Sequence, residues 1–167
     1  MPLEQLANIA EVIGVLVVAI TLIFLTVQMR QNTRATRSAT ANDSISMVVA
    51  WYGEMGNCEQ SSALFYNALA DPEAQTPEAW LQFVLNLHGF LLAIQNSYYL
   101  AIEGTLDDRI TQSLTEVIIA VKDQPGFQLF WRQRKAIFFP EFQDYIDTTM
   151  SSDRQVSEGV YKDFNPE

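Results

Sequence analysis

Sulfur and imidazole are scarce in this 167-residue chain, which has one cysteine, Cys58, and one histidine, His88. A single thiol excludes an intramolecular disulfide and a cysteine-built zinc site. A single imidazole excludes a histidine-rich metal site and obliges any nucleophile–base pair that uses histidine to use His88. The seven glycines form neither a G-x-G-x-x-G nor a G-x-x-x-x-G-K pattern, which removes the usual phosphate-cradling loops. Positive charge is short as well, with 10 Lys and Arg against 20 Asp and Glu and a formal net charge of −10. At a pI near 4.4 the chain lacks the basic surface that nucleic acid requires. Only 18% of residues are charged and 49% are hydrophobic, so the composition is that of a folded protein, and the length fits one domain with appendages.

What is present is concentrated. Ile9 to Val27 reads IAEVIGVLVVAITLIFLTV, with Glu11 as its one charge. As a helix this run measures roughly 28 Å, close to the ~30 Å hydrocarbon core of a bilayer. A buried core helix would carry a polar stripe, whereas only Thr21 and Thr26 interrupt the apolar residues from Val12 to Val27. A cleaved leader would have a basic start and a small-residue cleavage site, and neither flanks the run. Arg30, Arg34 and Arg37 follow it closely and nothing basic precedes it. The positive-inside rule therefore predicts a single span with the N-terminus outside and the remainder cytoplasmic. The arginines are expected at the headgroups.

Ala7, Glu11, Gly14, Val18, Thr21, Leu25, Gln28 and Asn32 alternate steps of four and three, so they share one helix face. Small and polar residues on one face of a membrane helix let a second helix approach and offer hydrogen bonds across the contact, making this the predicted association face. Glu11, at the outer boundary, also fits a solvated interfacial acid.

Neither Gly nor Pro occurs between Gly14 and Gly53, so the helix is free to run on as a stalk. The Thr-, Ser- and Asn-rich stretch leaves room for a break near Asn42 to Ser44, and the reading is one long helix or two nearly collinear ones ending around Gly53 to Gly56. A short helix follows at Glu59 to Ala70. Thr76-Pro77-Glu78 is a strong helix start, opening a helix of about Pro77 to Glu103 ended by Gly104. Two apolar stripes, one from Trp80 to Tyr98 and one through Leu81, Leu85, His88, Leu92, Tyr99 and Ile102, predict that this helix is central. Asp107 and Asp108 begin another, with Ile110, Leu114, Val117, Ile118 and Val121 inward and Lys122 in its last turn. A short aromatic helix after Gln124-Pro125-Gly126 and a last one from Pro140 complete an all-α chain. The expected organisation is a tail at 1–8, a transmembrane helix at 9–28, a helical stalk at 29–56, a helical bundle at 57–150 and a polar, loosely attached tail at 151–167.

Candidate chemistry is thin. On an apolar stripe, His88 fits a hydrogen-bonded core residue better than a catalytic base. The acidic pairs Asp107/Asp108 and Asp144/Asp147 sit where helix starts favour acids, and neither an E-x-x-H pair nor an EF-hand loop is present. No cofactor or metal is expected. Arg132, Arg134 and Lys135 lie among Trp131, Phe130 and Phe138, but three basic residues are fewer than a lipid-binding cluster needs. Glu141, Asp144 and Asp147 nearby favour an ion-pair seam.

The run IAEVIGVLVVAITLIFLTVQMRQNTRATR, the helix end NSYYLAIEGTLDD and the segment PGFQLFWRQRKAIFFPEFQDYID together resemble a family of short uncharacterised membrane proteins from marine and other proteobacteria. The resemblance covers most of the chain, and its clearest signature is the Q-x-R-Q-N-T-R-A-x-R run at Gln28 to Arg37. It implies one span in the bacterial inner membrane with a cytoplasmic helical domain, and it brings no activity, ligand or site residue. The expected function is a non-enzymatic, homo-oligomeric membrane-anchored scaffold whose partners are membrane lipid and its own copies, with no nucleic acid. The alternatives are an accessory subunit of a larger inner-membrane complex, and a membrane-tethered enzyme or small-molecule sensor using His88. Charge divides with the topology: residues 1–50 hold three basic and three acidic side chains, and residues 51–167 hold 7 and 17.

Overall fold

The structure is a computed structural model that describes residues 2–154, with nothing to be said of the side chains of Ala7 and Ile9. The described residues are all-α. Helix α1 spans Leu3–Gly56, α2 Glu59–Ala70, α3 Pro77–Ile102, α4 Asp108–Val121, α5 Pro125–Arg134 and α6 Pro140–Met150, with a 3-10 turn at Lys135–Ile137 between the last two. The chain forms two compact units, divided between Ala39 and Thr40.

The first unit is the N-terminal part of α1, and every side chain described in it is exposed. The second unit contains the core. Its elements begin where local chemistry dictates. Thr76 caps α3 by accepting a 3.2 Å hydrogen bond from the Ala79 N–H, with Pro77 in the first helical position. Asp107 caps α4 by accepting from the Arg109 N–H at 2.9 Å and also pairs with the Arg109 guanidinium. Pro125 and Pro140 open α5 and α6, where a missing N–H costs nothing. Gly104 ends α3 at φ +70°, a left-handed conformation that favours glycine, and the Thr105 and Leu106 N–H groups return to the Leu100 carbonyl. That turn drops Leu106 into the interior.

The core is aromatic. Phe83, Phe127, Phe130 and Phe142 are fully buried together with Leu91, Ile118 and Ile146. Helix α2 packs on α3 and α5, and α4 on α3 and α6. Trp51 of α1 stacks at 4.5 Å from Phe90 and meets Phe65 edge-on. Met55, one turn further along α1, shares a groove with Leu85 and Asn86, one turn back along α3, so these two helices run antiparallel.

Of the two readings of this region, one long helix is the one found: α1 runs unbroken through Ser44, which faces the interior, to Gly56. Three expectations are corrected. The stalk does not extend to residue 56: Ser44, Val48 and Met55 are buried, which makes α1 a bundle helix from Thr40 onward. Lys122 does not lie in the last turn of α4 but is its C-cap residue. It is buried, donates to the Ser152 carbonyl at 2.6 Å and pairs with Asp123 at 3.4 Å. Through that bond, and through an ion pair of Arg154 with Glu116, residues 151–154 are attached to the bundle. The rest of the expected tail, 155–167, lies outside the described residues.

Candidate functional site

The N-terminal unit presents the most distinctive surface. Its best 18-residue window has a mean hydropathy of 2.6 and none of it is buried. This is one helix long and apolar enough to cross a membrane. Glu11, Gly14, Val18, Thr21, Leu25 and Gln28 lie along it at heptad spacing and all are exposed; Ala7 belongs to the same stripe, but its side chain is outside the described ones. At about 100° per residue, Arg30, Arg34 and Arg37 fall roughly 160° around the helix from that stripe. A partner on the stripe therefore leaves the three exposed guanidinium groups free to face outward.

The stripe is less polar than its composition implies. Thr21 donates its hydroxyl to the Val17 carbonyl at 2.8 Å, and Thr26 and Thr33 likewise bond one turn back, to Leu22 and Met29. Such bonds satisfy the donor within the helix, so Thr21 offers a partner only an acceptor. Gly14 is the small position, with nothing within 4 Å of where a Cβ would stand.

In the second unit His88 is half-buried, its ring edge-on to Phe138 at 5.4 Å. The expected hydrogen bond is missing at Nε2, which is buried without a partner among the described residues. Gln95, also on α3, is engaged elsewhere and accepts from the Phe139 N–H at 3.1 Å. Of the basic patch, Lys135 pairs with Asp147 at 3.3 Å, and the same carboxylate accepts the Trp131 indole N–H at 2.7 Å. Arg132 and Arg134 are exposed. Among the described residues no cluster of three or more His, Cys, Asp or Glu is placed to hold a metal ion.

Among the described residues three groups carry perturbed acidities; the Arg109 guanidinium is held above its usual range by its hydrogen bond to Asp107. Hydrogen bonds from Ser61, first through its side chain and then its backbone, hold the Cys58 thiol below its usual range. Burial pushes the Tyr145 phenol up, against a smaller opposite effect of its contact with Thr115.

Helix α3 packs against α1, α2, α4 and α6 as a central helix does, but only one of its two apolar stripes is interior. One stripe is interior, including Val84, Leu87, Leu91 and Ile94, but Leu81, Leu85, Leu92, Tyr99 and Ile102 of the other are 44–62% exposed. A second apolar stripe shows that a face is dry somewhere, and does not show that this chain's own fold covers it. Between these residues lies Gly89, exposed, with nothing within 4 Å of its missing Cβ. From Ala79 to Ile102 the helix carries no Asp, Glu, Lys or Arg, and that run was the available signal for an uncharged surface.

Comparison with protein-family models, curated proteins and solved structures gives no match.

Proposed function

We propose that the chain is a non-enzymatic, single-pass scaffold of the bacterial inner membrane that works through helix–helix association. The observation that carries this reading is the complete exposure of the most apolar window of α1. A core helix of that composition would be buried by its own domain. Exposed to water, eighteen such residues would cost tens of kcal/mol at about 25 cal/mol per Å², whereas a bilayer accepts them. That the helix runs on through the arginines with no cleavage pattern favours a retained anchor over a leader. The arginines on the C-terminal side favour an external N-terminus and a cytoplasmic bundle, and their position opposite the Glu11–Gly14–Val18–Thr21 stripe suits a helix whose stripe meets another copy while its arginines meet headgroups.

Alkaline carbonate washing of bacterial membranes tests the anchor: the full chain is expected to stay in the pellet, and release into the supernatant overturns the reading. A reporter fused after Glu167 is expected to behave as cytoplasmic, and a periplasmic signal reverses the topology. Cross-linking in native membranes is expected to trap homo-oligomers. Recovery of monomer alone refutes the scaffold, and a defined set of foreign subunits favours the accessory role.

A further inference from the structure

We infer that the exposed face of α3 is a second self-association surface, on which the same face of another copy sits with the two helices crossing near Gly89 and Leu92. The inference rests on the reading of the chain as a self-associating membrane protein and places a contact of that assembly in the helical domain.

Three observations select a second copy as the occupant. The first is charge. The chain carries −10, so two copies repel wherever charged surface meets charged surface, and α3 from Ala79 to Ile102 has no charged side chain. The second is area. Leu81, Leu85, Leu92, Tyr99 and Ile102 are each 44–62% exposed, which amounts to roughly 450 Å² of side chain per copy. Two copies with their polar rims reach about 1,000 Å², the lower bound of a specific interface. Chains confined to one membrane need no more than that, because tethering raises their effective concentration. The third is Gly89. Glycine in the middle of a helix weakens it, and here no neighbour among the described residues needs the space. A gap flanked by Leu85 and Leu92 accepts a leucine from a facing helix, so Leu92 of each copy enters the gap over Gly89 of the other.

The test is oxidative cross-linking of the full-length chain in native membranes, with Cys58→Ser as background and Leu92→Cys as the reporter on α3. Val18→Cys in the same background reports separately on the membrane stripe. Leu92→Cys is expected to give a disulfide-linked homodimer, and adding Gly89→Gln is expected to lower its yield at least tenfold. That substitution fills the gap with a good helix former whose Cβ meets no described atom within 4 Å, so circular dichroism should show an intact helical domain. Failure of Leu92→Cys to form a homodimer overturns the inference, whether or not Val18→Cys dimerises. An unchanged yield with Gly89→Gln, or an adduct with a foreign protein, also overturns it. A Leu92→Cys dimer without a Val18→Cys dimer upholds the α3 contact and refutes the membrane stripe.

Discussion

Gly126 is the position where one methyl group does most damage. It is the second residue of α5, and a Cβ placed there overlaps the carbonyl oxygen of Ala68 and comes within 2.8 Å of the Leu69 Cα and 2.9 Å of the Ala68 carbonyl carbon. These are backbone atoms of α2, so no side-chain rotation relieves the overlap. Ala68 and Leu69 are 0 and 1% exposed, as is Phe127 beside the glycine at 0%, and α2 must move away from α5 as a unit. Overpacking of this kind costs about 1–3 kcal/mol and sometimes more. The gain in helix propensity from alanine offsets at most about 0.5–1 kcal/mol. For Gly126→Ala the net loss is on the order of 2 kcal/mol, which for a domain of this size lowers Tm by roughly 8 °C. Thermal melts of the full chain in mild detergent, followed at 222 nm, give the value. An unchanged or raised Tm would refute the close approach of α2 and α5, and with it the packing that positions the aromatic core.

Three further outcomes follow from polar groups in the bundle. Asp147→Ala removes the acceptor of the Trp131 indole and the partner of Lys135; with Trp131 buried, the orphaned N–H is expected to cost about 1–2 kcal/mol, and a urea midpoint equal to wild type would argue against the bond. Burial raises the Tyr145 pKa above its ordinary value, so the phenol favours the folded state while neutral. Stability from this group is full below about pH 10 and falls as pH rises through the folded value. Urea titrations between pH 8 and 11 should show a steeper alkaline loss in wild type than in Tyr145→Phe, and equal slopes contradict the assignment. Cys58 is held toward its thiolate by Ser61, so iodoacetamide should label it with a midpoint below that of the urea-unfolded chain, and Ser61→Ala should move the midpoint up. A midpoint that does not respond to Ser61→Ala removes that hydrogen bond from the account.

The helices were legible because their boundaries are chemical. Thr76-Pro77, Asp107-Asp108, Pro125, Pro140 and Gly104 act through a cap, a fixed φ or a left-handed turn within a few residues, and the sequence displays all of these. Which way a surface faces was less legible. Lys122 reads as a lysine placed for the helix dipole, and nothing near it in sequence shows that it is buried with the Ser152 carbonyl, thirty residues later, receiving its ammonium group. Leu85 and Leu92 read as interior for the same reason that Val84 and Leu91 do, since hydrophobicity reports a preference for leaving water and not the identity of the covering partner. Ser44 points inward against its composition because Val48, Trp51 and Met55 on the same face carry it there. On the candidate association stripe, spacing revealed the shared face, but not that Thr21 spends its proton on its own helix.

The division of charge ties these surfaces together. All of the excess negative charge lies after residue 50, where 17 acids face 7 bases, and yet α3, the longest helix wholly within that region, contributes only Glu78 to it. Among the described residues the acids therefore lie on the other elements and the turns between them. That arrangement is poor for a domain that merely needs solubility, since spreading the same charge over α3 would cover Leu81, Leu85 and Leu92 at no cost to the core. It suits a domain that must repel acidic neighbours from most directions while leaving one direction open. If α1 is the anchor we propose, the direction left open is the α3 face. Charge then sets which neighbour is admitted, and the apolar stripe with its gap at Gly89 sets how that neighbour fits.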